Sequence, residues 1–138
     1  MSAKAAAITA KRSGIYHAPA QVEALQNAAG KAGLMWIDLP LKAVSNKKQF
    51  LAVCKVQLKL PSHFGDNWDA LADCVRDADW LGGKGYVLHV TKYEAFAKAA
   101  PGDYQTALDV LREAADYWKE KGSPFVVLID GAKDLPAF

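Results

Sequence analysis

The sequence predicts an α/β fold, a small and largely parallel β-sheet packed between α-helices, on three observations. Short apolar runs alternate with longer segments of helical periodicity. The runs are apolar at successive positions, as in strands covered on both faces, and Gly or Pro marks most of the junctions. With 138 residues, 51% hydrophobic and 23% charged, the composition is that of one globular domain and excludes disordered, collagenous and disulfide-scaffold classes.

Each element has its own signal. Residues 1–12 read as a flexible basic leader, and 13–138 as a single domain. A short strand is expected at 13–17, stopping before Pro19. Val22, Leu25, Ala28 and Ala29 recur at helical spacing over 19–30, with Pro early and Gly late. The run 34–39, between Gly33 and Pro40, reads as a central strand buried on both faces. Ser45 or Asn46 caps a helix carrying Phe50, Val53, Cys54 and Leu58, interrupted by the polar Gln57 and ended by Pro61. A loop over 60–66 enters a helix over about 67–78. Gly82, Gly83 and Gly85 then turn the chain into a strand at 86–90. A short helix over 93–99 precedes a long one over 103–121, whose apolar stripe is Ala107, Leu108, Leu111, Ala115 and Trp118. Gly122 closes that helix, and the β-branched run 125–129 is a last buried strand.

Two cysteines, Cys54 and Cys74, are too few for a disulfide framework and suit small buried thiols in a reducing compartment. No run reaches the roughly 18 apolar residues of a membrane span, and the start has no signal-peptide pattern, so a cytoplasmic location is expected. Net charge is only +2, yet it is polarised: residues 1–60 carry nine Lys or Arg against two acids, and residues 61–138 carry eight against thirteen.

The acids have a pattern. At about 100° per residue, Asp66, Asp69, Asp73 and Asp77 fall in one stripe of the helix that begins near 67, while Trp68, Leu71, Val75 and Ala78 fall opposite. Like charges four apart on a helix repel by about 0.2–0.5 kcal/mol per pair, and the N-terminal dipole compensates only Asp66 and Asp69. Such a stripe is either a solvated face or a docking surface for a cationic partner.

The segment Leu60-Pro61-Ser62-His63-Phe64-Gly65-Asp66-Asn67-Trp68-Asp69-Ala70-Leu71-Ala72-Asp73-Cys74 resembles the signature of the barstar family of ribonuclease inhibitors. The similarity covers roughly residues 33–130 and includes the element order after the motif. The fold it implies is barstar-like with an extra N-terminal strand and helix. Val110-Leu111-Arg112-Glu113-Ala114 resembles the family stretch that supplies one more acid. The resemblance implies binding without catalysis: an acidic helix and loop plug the active site of a small secreted guanyl-preferring ribonuclease or nuclease toxin, as self-protection, immunity or antitoxin. Asp69 and Asp73 match the two central acids, Gly65 and Asn67 the loop, and Glu113 the peripheral acid. His63 stands where the family has a loop tyrosine and Ala72 where it has a contact tryptophan. The partner-binding set implied is His63, Phe64, Gly65, Asn67, Trp68, Asp69, Ala72, Asp73, Asp77 and Glu113, in a 1:1 complex of a monomer with a bacterial ribonuclease. No cofactor, membrane or direct nucleic-acid contact is implied.

Other chemistries fit less well. His17, His63, His89, Cys54 and Cys74 lack the close paired spacing of metal ligands. Cys74 follows an acid, which disfavours its thiolate, so a Cys74–His63 nucleophile pair is poorly activated. Asp69 and Asp73 on adjacent turns do not flank a cleft as hydrolase carboxylates do. Gly82-Gly83-Lys84-Gly85 precedes a strand, whereas a phosphate cradle leads into a helix. His89, within an apolar strand, suits a hydrogen-bonded structural role. The alternative of a different class is an RNA-binding module using the basic N-terminal half, rich in lysine from Lys42 to Lys59.

Overall fold

The computed structural model describes residues 8–61, 64–77, 80 and 84–138. Four strands, β1 (Gly14–His17), β2 (Met35–Pro40), β3 (Tyr86–Thr91) and β4 (Phe125–Ile129), form one all-parallel sheet in the order β1-β4-β3-β2. Five helices run between them: α1 (Glu23–Lys31), α2 (Lys47–Gln57), α3 (Trp68–Val75), α4 (Glu94–Ala99) and α5 (Pro101–Glu120). Parallel neighbours cannot be joined by a tight hairpin, so helical crossovers follow from the strand direction. The expected α/β class, with a strand and helix added at the N-terminus, is the one observed.

Period-two alternation divides the core. Tyr86, Leu88 and Val90 of β3 and Phe125, Val127 and Ile129 of β4 join Phe50, Leu71, Phe96 and Leu111 from α2, α3, α4 and α5 in the larger cluster. Val87, Val126 and Leu128 point the other way, onto Leu25 and Ala29 of α1. All five residues of β4 are buried, which is why its sequence is apolar without interruption.

The structure corrects three expectations. β2 lies at the edge of the sheet. An apolar run reads the same whether or not a strand lies on its far side; only exposed Asp38 and Pro40 betray the edge. Pro40 offers no N–H there, and the Gln57 side chain donates to the Asp38 carbonyl at 2.8 Å, so the open edge is blunted. Second, α3 is shorter than its periodicity suggests, with Asn67 as N-cap and Arg76 as C-cap. Asp66 therefore precedes the helix, with φ 51°, and Asp77 follows it. Third, Cys54 is buried, but Cys74 is only half-buried. Ala78, Gly82, Gly83 and His63 lie outside the described residues.

Of the basic leader, residues 1–7 also lie outside the described residues, while Ala10–Arg12 form one 3-10 turn. The Arg12 guanidinium sits 3.8 Å from the ring centroid of Phe138, a cation–π contact that ties the two ends of the chain together.

Candidate functional site

The loop that enters α3 is held from both sides. Phe64 is buried in the main core, so it anchors the loop and is not on the surface, contrary to its expected place among the partner-binding side chains. Gly65 packs so closely that a Cβ there would lie 3.1 Å from Asn67 Nδ2. Asn67 uses both ends of its amide: Nδ2 donates to the Gly65 carbonyl at 3.1 Å, and Oδ1 accepts from the Ala70 N–H at 2.8 Å. That is the side-chain cap a helix start requires, and it fixes where the first turn of α3 begins.

The inner face of α3 is mounted on the core. Leu71 and Val75 are fully buried. Trp68 is half-buried, its ring 5.8 Å from that of Phe50. At the far end, the Trp118 indole of α5 donates to the Val75 carbonyl at 2.8 Å. The helix is thus pinned at its cap, along its inner face and at its last turn.

What remains outward is acidic. Asp69 and Asp73, four residues apart, share one face one turn from each other, and both are exposed. Ala72 beside them is half-buried and flat. Asp69 makes no ion pair among the described residues, while Asp73 meets Arg76 at 3.4 Å. Arg76 also donates from Nε to the Ala72 carbonyl, so it caps the helix end and screens Asp73 from one side. This neighbour was overlooked in the sequence reading, although an Arg three residues after an Asp on a helix is a sufficient signal. An exposed pair of this kind is weak and leaves the carboxylate free to change partner.

Asp77 lies beyond the helix, exposed, with its N–H donating to the Cys74 carbonyl at 3.2 Å. Burial and the neighbouring Asp73 and Asp77 carboxylates push the Cys74 thiol above its ordinary value, so it stays protonated and unreactive.

Glu113 is on the exposed face of α5, the helix against which α3 packs. Asp109, Asp116 and Glu120 recur with it at helical spacing and are exposed too, so α5 adds a second acidic row. The sequence reading singled out only Glu113. The structure thus brings α3 and α5 side by side and leaves Asp77 and Phe64 off the shared outer face of α3.

A separate polar cluster lies on the α1 side of the sheet. His89 Nε2 is 2.9 Å from Asp130 Oδ1 and Nδ1 is 3.7 Å from Asp38 Oδ1, to which the Trp36 indole also donates. The cluster ties β2, β3 and the end of β4 together, consistent with a hydrogen-bonded structural histidine. Among the described residues, no group of three or more His, Cys, Asp or Glu is placed to hold a metal ion. No described helix is long and apolar enough to cross a membrane.

A family model described as Barstar (barnase inhibitor) matches residues 34–130, which contain the loop, α3, α5 and three of the four strands. A comparison with curated proteins returned no match.

Proposed function

Because the chain belongs to the barstar family, whose members are inhibitors of barnase-like ribonucleases, we propose that α3 and its entering loop fill the active site of a small basic ribonuclease or nuclease toxin. The observation that carries this reading is the pair Asp69 and Asp73, exposed on a helix whose other faces are committed to the core. A ribonuclease site presents Arg, Lys and His to a phosphodiester, and rigidly held carboxylates make charge-assisted hydrogen bonds to the same groups. Asp69 and Asp73 stand in for substrate phosphate, and Glu113 meets a cation at the margin. Gly65 and Asn67 set the loop, Trp68 and Ala72 give apolar area, and Asp77 adds to the attracting field. The action is binding, without a chemical step or a cofactor, and protects the cell that makes the nuclease or receives it.

Rigidity matters because association costs freedom, and a helix already pinned by Asn67, Leu71 and Trp118 has little left to lose. The test is inhibition of a guanyl-preferring bacterial ribonuclease cleaving a short RNA. Stoichiometric inhibition, weakened by Asp69→Ala and by Asp73→Ala, is the expected result. Inhibition that is unchanged in both variants contradicts the reading.

A further inference from the structure

The acidic face accounts for α3 and α5 but not for α2. Between residues 41 and 60 the chain carries Lys42, Lys47, Lys48, Lys55 and Lys59 and no acid. None of the five makes an ion pair among the described residues. Asp66 and Asp103 border the groove that Lys47 and Lys48 line, without pairing with them. Helical geometry sets Lys48, Ala52 and Lys55 along one line of α2, about 10 Å from the first to the last, and Lys59 follows just past the helix end. The opposite face, Phe50, Leu51 and Cys54, is buried, so the lysine row is fixed to the core.

Three of these lysines sit where local physics disfavours them. Lys47 and Lys48 occupy the first turn of α2, where the dipole favours acids and none is present. Lys59 has φ 52° at the helix C-terminal turn, a left-handed position that favours glycine. Residues kept against local preference point to a demand from outside the fold.

We propose that this face of α2 docks the phosphodiester backbone of duplex RNA, independently of the ribonuclease-inhibitor reading. Lysine is a point charge with no bidentate geometry, which suits sequence-independent contact with a line of phosphates. Ala52 and Val56, both exposed between the lysines, keep the surface flat for close approach. The lysine row carries no aromatic ring for stacking, which favours a duplex over a single strand. Val56 alone gives too little apolar surface to insert into a membrane.

The test is fluorescence anisotropy of the whole protein with a labelled RNA duplex of about 16 base pairs at several salt concentrations. Lys48 and Lys55 on the row, with Lys59 beside the helix end, predict micromolar or weaker binding with a log–log salt slope of about −2 to −3. The variant K48E/K55E should lose at least about tenfold in affinity, while the charge-matched K98E/K119E on α4 and α5 keeps more than half; circular dichroism checks folding of both. Asp73→Ala should leave RNA binding intact, which separates this surface from the acidic one. No duplex binding at low salt, equal loss in the two double variants, tighter binding to the single strand, or binding only to anionic phospholipid vesicles would each overturn the proposal.

Discussion

The indole Nε1 of Trp118 donates a 2.8 Å hydrogen bond to the carbonyl of Val75, joining the last turn of the long helix α5 to the last turn of α3 across 43 residues of sequence. Both residues are buried. A carbonyl at the end of a helix has no intrahelical partner, so this bond satisfies a group that burial would otherwise leave orphaned. It also sets the position of α3, and so of its acids, relative to the acids of α5.

Trp118→Phe keeps most of the ring but removes the donor. Leaving a buried carbonyl unpaired costs about 1–3 kcal/mol, which urea unfolding should register as a lower midpoint with an unchanged slope. Binding of the target ribonuclease should weaken as well, although Trp118 is buried.

Asp69→Ala and Asp73→Ala should separate binding from folding. Both carboxylates are exposed, and the single ion pair of Asp73, with Arg76, is of the weak exposed kind, so stability should change by less than about 0.5–1 kcal/mol. Affinity for the ribonuclease should fall by at least about 2 kcal/mol, roughly thirtyfold, for either substitution. Thermal melting and titration on the same samples check both statements.

Leu71→Ala on the inner face should do the opposite. The side chain is fully buried, and truncating a buried Leu costs about 2–5 kcal/mol. Trp68→Ala should cost less than a fully buried Trp would, since Trp68 is only half-buried.

Asn67→Ala removes the cap and the link to Gly65 together. A loss of about 1 kcal/mol is expected for the cap. Crystallography or NMR of the variant should show a frayed first turn of α3 and a displaced Asp69.

The Cys74 thiol gives a pH test. Its value is raised by burial and then by Asp73 and Asp77, so alkylation should become fast only above the ordinary thiol range, and Asp73→Asn or Asp77→Asn should move that onset to lower pH. The sign for stability follows: the unfolded chain loses its thiol protons first as pH rises, so the contribution is intact below the ordinary value of about 8.5 and is lost above it. An alkylation onset indifferent to both Asn variants would show that the two carboxylates do not act on the thiol.

The sequence exposed those parts of the molecule whose physics is local. The helix at α2 was legible from a cap at Ser45 or Asn46, of which the structure uses Asn46, and from spaced apolar residues, and the buried strand β4 from five apolar residues between breakers. The acidic face was legible because Asp69 and Asp73 lie one turn apart opposite Leu71 and Val75. What escaped depends on distant chain. The edge position of β2 depends on which strands pair, and within its own residues only Asp38 and Pro40 hint at it. Periodicity alone carried α3 past its ends, because Asp66 and Asp77 keep the helical spacing while their backbone has already left the helix. Phe64 entered the implied partner-binding set with its loop, and only the tertiary fold shows the core that buries it. The bond from Trp118 to Val75 joins residues too far apart for any local pattern to report.

The most direct measurement is calorimetric titration of the protein into a small guanyl-preferring bacterial ribonuclease at low and at physiological salt, with Asp73→Ala alongside. Tight one-to-one binding that weakens with salt and is largely lost in the variant is the predicted result. A folded protein that shows no heat of binding at either salt, or binds equally well as Asp73→Ala, contradicts the assignment of α3 as the inhibitory face.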